Sequence, residues 1–200
     1  MNFIHKLKIA AGIKPKEQED AIERDNLEIL TDDKTDVVFA KTLLKNNGNF
    51  FYCDTKDDLI KTLQALSKKM NGSVFFCPEE ILQKVLNHSS IQQSQNPSEC
   101  GIILSSCEYL IANQGKVMLS SKQLGANMIK NLPKEHVIVA YASQIVKNLN
   151  EAMSGINTRY IHEGLPSTIT TITSKRDHNK NIGDGNIKNL SVLLIEDFKY

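Results

Sequence analysis

Two compact apolar runs, Asn49-Phe-Phe-Tyr-Cys53 and Val74-Phe-Phe-Cys77, stand between segments whose apolar residues recur every three or four positions. No other feature narrows the possible folds as much. Before the first run, Asp36 to Asn47 reads as a helix with Val37, Val38, Ala40 and Leu44 as its apolar positions, closed by Asn47-Gly48. After it, Asp54 or Thr55 is placed to cap a helix whose buried face is Leu59, Ile60, Leu63, Leu66 and Met70, ended by Asn71-Gly72. The second run leads into Pro78, suited to a first helical position, then Glu79 and Glu80, with Ile81, Leu82, Val85 and Leu86 as the inner face. Strand and helix alternate with short joints, and such alternation demands a parallel sheet covered by helices.

The second half departs from this rule. Ser89 to Glu99 is polar and turn-rich and reads as a surface loop. Gly101–Leu104, Tyr109–Ala112 and Val117–Leu119 are three apolar runs too close together for helices between them. The turn Asn113 to Lys116 gives the last two a hairpin form. Helix or coil follows through Gln123 to Lys130, and Pro133 breaks it. His136 to Tyr141 is a buried strand; Ile145, Val146, Leu149 and Met153 mark an amphipathic helix ended by Gly155. The stretch HEGLPSTITT, 162–171, turns into an alternating Ile/Thr strand, and Leu190 to Ile195 forms a final central strand after a polar segment, 175–189. The expected fold is α/β: a mostly parallel central sheet flanked by helices, with an antiparallel insertion. Residues 35–200 make one domain, and 1–34 form an amphipathic or flexible lead segment.

Composition excludes several function classes. Of 200 residues, 24 are basic and 23 acidic, so a net charge of +1 gives no field to draw in nucleic acid or acidic membranes. No run approaches the roughly 20 apolar residues of a membrane span, and Lys6 and Lys8 interrupt the apolar N-terminus where a secretory leader needs an uncharged stretch. Cys53, Cys77, Cys100 and Cys107 form no C-x-x-C pair for zinc or an iron–sulfur cluster, and read as reduced thiols of a cytoplasmic protein. The five histidines form no H-x-x-x-H pair, and neither a Walker loop nor a G-x-S-x-G elbow is present. Neither a metal nor a cofactor is expected.

Ligands of open α/β sheets favour the carboxyl ends of the strands. Three polar, glycine-bearing loops are candidates to gather there. Asn113, Gln114 and Gly115 offer side-chain amides and a free backbone; Gly164, Pro166, Ser167 and Thr168 combine close approach, rigidity and two hydroxyls; and Gly183, Asp184, Gly185 and Asn186 have the composition of an anion-binding nest. His162 and Glu163, which adjoin the second loop, are the candidate acid–base pair.

From Cys100 to Asp197 the order of segments resembles the lactate-utilisation domain (LUD) family, and within it the small subunit-C type. Leu110-Ile-Ala-Asn-Gln-Gly115 stands where members carry Ala-Ile-Ala-Glu-Thr-Gly. Leu132-Pro-Lys-Glu-His-Val-Ile-Val139 matches a Leu-Pro-x-x-His-Ile-x-Val strand, and Leu165-Pro-Ser-Thr-Ile-Thr-Thr-Ile-Thr173 a Gly-Pro-Ser-x-Thr-Ala-Asp-Ile-Glu stretch. Where members have acids this chain has Asn113, Thr171 and Thr173, and its Gly183-Asp-Gly-Asn loop lacks the family's His and Pro. The resemblance implies a fold like that of the sugar-isomerase and CoA-transferase superfamily. It also implies a role in oxidising L-lactate to pyruvate with iron–sulfur partner subunits. The expectation is therefore a protein that binds a small anionic metabolite through these loops. The alternative is a catalytically inactive interaction module on the same scaffold.

Overall fold

The computed structural model describes residues 27–174 and 186–196. The alternation opens as helix α1 (Thr35–Lys45), strand β1 (Asn49–Cys53), helix α2 (Lys56–Lys69), strand β2 (Phe75–Phe76), helix α3 (Glu80–His88) and strand β3 (Gln93–Ser94). There follow β4 (Ile102–Ser105), β5 (Tyr109–Ile111), β6 (Lys116–Ser120), the single turn α4 (Ser121–Leu124), β7 (Glu135–Tyr141), β8 (Ile145–Val146), α5 (Leu149–Arg159), β9 (Ile169–Ile172) and β10 (Asn189–Ile195).

Six strands pair in the order β1-β10-β7-β4-β2-β3, every pairing parallel. Parallel strands are buried on both faces, which is why these segments read as continuous apolar runs rather than alternating ones. On one face Phe75, Ile102, Leu104, Val137, Val139 and Leu193 pack beneath α2 and α3, through Leu59, Leu63, Leu66, Leu82 and Leu86. On the other face Phe76, Ile103, Ile138, Val192 and Leu194 meet a second sheet and Phe39 and Leu43 of α1. That second sheet, ordered β8-β5-β6-β9, pairs β5 with β6 and β6 with β9 antiparallel, and β5 with β8 parallel. Its outer face carries Ile111 and Met118, covered by Ala152, Ile156 and Tyr160. The expected mostly parallel sheet with an antiparallel insertion is thus present, and the insertion forms a layer of its own.

Local signals explain several boundaries. Thr55 caps α2 by accepting from Asp58 N at 3.1 Å while Thr55 N donates to Asp58 Oδ2 at 3.2 Å. Other expectations need correction. The segment from Ile145 is a strand before it is a helix, because Ile145 and Val146 extend β5, and the helix starts at Leu149 behind the Asn148 cap. That helix runs through Gly155, where the Tyr109 ring occupies the space a side chain would need, and ends at Arg159. Ile81 is not on the inner face of α3 but 77% exposed, since the helix begins at Glu80, two residues after the proline. Leu149 and Met153 are likewise exposed. Within the polar stretch 89–99, Gln93–Ser94 adds an edge strand.

Candidate functional site

Strand β4 ends at Ser105, where the chain leaves the parallel sheet, and the three residues Ser106 to Glu108 carry it into β5. Here the polar interior of the protein is concentrated. Ser105 and His136, both fully buried, face the second sheet from adjacent strands, with Ser105 Oγ 2.8 Å from His136 Nε2. Ser105 Oγ donates to Ser106 O at 2.9 Å, so it accepts from the histidine and the ring proton lies on Nε2. His136 Nδ1 has no hydrogen-bond partner. Burial, with the nearby Lys188 charge adding to it, holds this imidazole neutral, its pKa pushed down to about 3. Lys188 is itself buried, its ammonium donating to the carbonyls of Ile129, Leu132 and Pro133 at 2.8, 2.9 and 3.1 Å.

Beside them, after β2, Glu79 accepts from Ser106 N at 2.6 Å and from Ser106 Oγ at 2.5 Å. Burial raises its pKa against the pull of those two hydrogen bonds. The carboxyl edge of the main sheet is otherwise acidic: Asp54 follows β1, Asp57 and Asp58 start α2, Glu80 starts α3 and Glu196 follows β10. These acids complement the helix N-termini, and an anion gains nothing among them.

Glu108 is the centre of a second cluster. Its side chain is fully buried, and its carboxylate accepts from Ser120 Oγ at 2.7 Å, Tyr160 OH at 2.8 Å, Gln123 Nε2 at 3.1 Å and Arg159 Nη1 at 2.5 Å. Burial alone would raise its pKa, but the three neutral donors and the Arg159 charge outweigh it and the carboxyl is held below its ordinary value. The same carboxylate, with burial acting first, pushes the Tyr160 phenol up to about 12. Arg159 also lies over the Tyr109 ring, 4.8 Å from its centroid, and Lys122 stands 5.6 Å from the centroid of Tyr160. Backbone placement creates this cluster: Glu108 immediately precedes β5, β6 and α4 supply Ser120 to Gln123, and the end of α5 brings Arg159 and its C-cap Tyr160.

The sequence-derived residues fall in separate places. Asn113, Gln114 and Gly115 form the turn between β5 and β6, at the far end of β6 from Ser120. Gln114 O accepts from Asn46 Nδ2 at 2.8 Å, Asn113 N donates to Lys147 O at 3.1 Å, and Gly115, at φ +56°, is pressed against Thr42 and Leu43 of α1. The 162–168 loop lies at the opposite end, beside the Glu108 cluster. Gly164 N donates to Tyr160 O at 2.9 Å, closing α5, and Thr168 O accepts from Ser121 N at 3.0 Å. Ser167 and Thr168 are exposed, His162 is exposed, and Glu163 pairs with Lys122 at 3.8 Å. Asn186 joins the edge of β9, donating to Thr170 Oγ1 at 3.4 Å while its carbonyl accepts from Thr173 N at 3.1 Å. Gly183, Asp184 and Gly185 lie outside the described residues. The sequence reading passed over Glu108, Lys122, Arg159 and Tyr160. One signal was present: in Ser-Cys-Glu-Tyr-Leu-Ile-Ala, residues 106–112, Glu108 is the lone charge within an apolar strand approach.

Among the described residues no group of three or more His, Cys, Asp or Glu is arranged to hold a metal ion, and no helix is long and apolar enough to cross a membrane. The four cysteines are free thiols.

A family model described as LUD domain matches residues 88–194, which are 107 of the chain's 200 and run from the end of α3 into β10. The structure is similar to the crystal structure of a DUF162 family protein from Deinococcus radiodurans, with a TM-score of 0.60 over 82% of this chain and 96% of that one. At 15% sequence identity that likeness concerns the fold alone. No curated protein matches the chain.

Proposed function

Because the chain belongs to the LUD domain family, we propose that it is a lactate-utilisation-type protein that binds a small anionic metabolite and acts with iron–sulfur partner subunits in oxidising L-lactate to pyruvate. Residues 35–200 are the functional domain in this reading and 1–34 a lead segment. The cytoplasm is its proposed location, which its four unpaired thiols support.

One observation carries the binding reading. The exposed hydroxyls of Ser167 and Thr168 sit on a loop tied by backbone hydrogen bonds to α4 and to the end of α5, which bring Lys122 and Arg159 to the same region. Hydroxyl and cationic donors on a short, anchored loop suit a carboxylate or phosphate. Asn113 to Gly115, at the far end of β6, stand outside this site; Gly164 and Pro166 shape its loop, with His162 and Glu163 as the candidate acid–base pair.

The test is thermal melting of the purified protein with L-lactate, pyruvate, sugar phosphates and CoA thioesters. A ligand at a hundredfold its Kd adds about 2.7 kcal/mol, which for a domain of this size raises Tm by roughly 5–10 °C. A shift that Ser167→Ala diminishes is the expected result. The second reading, an inactive interaction module, is favoured by the apolar side chains left exposed along and after α5: Leu149 and Met153 at 38%, Ile161 at 71% and Leu165 at 59%. It requires that none of these ligands moves the melting temperature.

A further inference from the structure

We infer that Arg159, held in place by Glu108, is the anchor for the carboxylate of a monoanionic ligand, at the mouth between the last turn of α5, α4 and the 161–168 loop. The inference rests on the small-anion reading and names the residue that recognises the charge and the class of ligand it accepts.

Three of the chain's 24 basic residues are arginines, and Arg159 is the arginine among the described residues. Its guanidinium offers five N–H groups in a planar fork, one of which, on Nη1, donates to Glu108 Oε2 at 2.5 Å. Although its partner Glu108 is at 0%, the Arg159 side chain is 40% exposed, so part of the fork faces solvent. Glu108 on one side and the Tyr109 ring beneath fix the plane of the fork, so little rotamer freedom is lost when a ligand arrives. Ser120, Gln123 and Tyr160 share Glu108 Oε1, while Arg159 takes Oε2, so the buried carboxylate fixes the guanidinium through one oxygen. Charge sets the ligand class. Arg159 and Lys122 are balanced by Glu108 and Glu163, leaving the mouth neutral before binding. A singly charged carboxylate then leaves one uncompensated negative charge at the site and a doubly charged phosphate leaves two, so the monoanion is favoured.

Calorimetric titration of the full chain at about pH 8.5, where phosphate is doubly charged, with L-lactate, pyruvate, methyl lactate and inorganic phosphate tests this, alongside Arg159→Lys, Arg159→Gln and Glu108→Gln. The expected result is saturable binding of L-lactate, none of its methyl ester, and phosphate at least tenfold weaker. Arg159→Lys keeps a cation beside Glu108, so it retains the fold yet lowers L-lactate affinity at least tenfold. In proton–nitrogen spectra the Arg159 Nε–H signal, assigned by its loss in Arg159→Lys, should move on adding L-lactate; in Glu108→Gln it should stand elsewhere and no longer respond. Unchanged affinity in Arg159→Lys overturns the anchor while leaving the small-anion reading intact. Phosphate binding as tightly as L-lactate overturns the ligand class. If neither L-lactate, pyruvate nor phosphate binds the unaltered protein, the small-anion reading falls and this inference with it.

Discussion

Ser105 Oγ and His136 Nε2 stand 2.8 Å apart at a point where neither residue exposes any surface. The bond joins neighbouring strands of the main sheet on the face that meets the second sheet, and burial there, with the Lys188 charge, keeps the imidazole neutral. Acid should therefore find this residue first. His136 is held down to about 3 in the folded protein, against about 6.5 in the unfolded chain, so below pH 6.5 the unfolded state binds the extra proton. Stability falls by about 1.4 kcal/mol for each pH unit below that point, and the loss runs down to the folded value. Glu108, also lowered, adds its own loss below about pH 4.5. Urea unfolding between pH 7 and 5 should show the slope, and His136→Leu should flatten it, since Ser105 keeps Ser106 O as its acceptor.

The Glu108 carboxylate should be hard to replace. Glu108→Ala strands Ser120, Gln123, Tyr160 and Arg159 without their common acceptor. Arg159, 40% exposed, can turn to solvent, but each buried donor left unsatisfied costs about 1–3 kcal/mol, and denaturant midpoints at pH 7 will read the loss. Thermal melting that matches the parent would show the network to be marginal.

Two glycines with positive φ should respond unequally to alanine. At Gly115, φ +56°, a Cβ would lie 2.8 Å from Leu43 N and from Thr42 C, so overpacking against backbone adds to the left-handed strain. Gly164 has φ +81° but nothing within 4 Å of where the Cβ would stand. We expect Gly115→Ala to cost more than about 2 kcal/mol and Gly164→Ala about 1 kcal/mol, measured by chemical unfolding.

Thiol labelling should separate the cysteines by position. Cys53, Cys77 and Cys107 are buried, and burial pushes the first two up to about 11 and 12 and Cys107 higher still. Cys100 is partly exposed. A disulfide reagent at pH 8 should modify Cys100 alone in the native protein and the other three only on unfolding. Mass spectrometry of the labelled peptides would decide it.

The main sheet was legible in the sequence because parallel strands declare themselves as unbroken apolar runs, such as Phe50 to Cys53 and Leu190 to Ile195, and because Thr55 and Asn71-Gly72 mark helix ends by local chemistry alone. Ile145 and Val146 were not legible as a strand: two β-branched residues fit either period, and only the neighbouring β5 decides between them. The candidate site was harder still. Composition drew attention to glycine loops, but whether such loops meet depends on which end of β6 each one joins. The structure puts Asn113 to Gly115 and Gly164 to Thr168 at opposite ends. Glu108 and Arg159 lie 51 positions apart, and no local pattern announces a pair formed by strand and helix packing.

Strand β1 is an edge strand whose neighbour in the main sheet is β10, and Asn49 and Ser191, which share that register, are separated by 142 residues. As the polypeptide is made, β1 emerges with α1 and α2 but must wait for nearly the whole domain before its ladder can form. Because β10 is the bridge between β1 and β7, the sheet exists until then as two unjoined parts with open edges. Closure over so long a loop is slow, and the exposed Phe50 to Cys53 edge is a hazard during that interval. The cell's rate of synthesis and its chaperones, rather than the stability of the finished protein, should therefore govern how much of this chain reaches its native form.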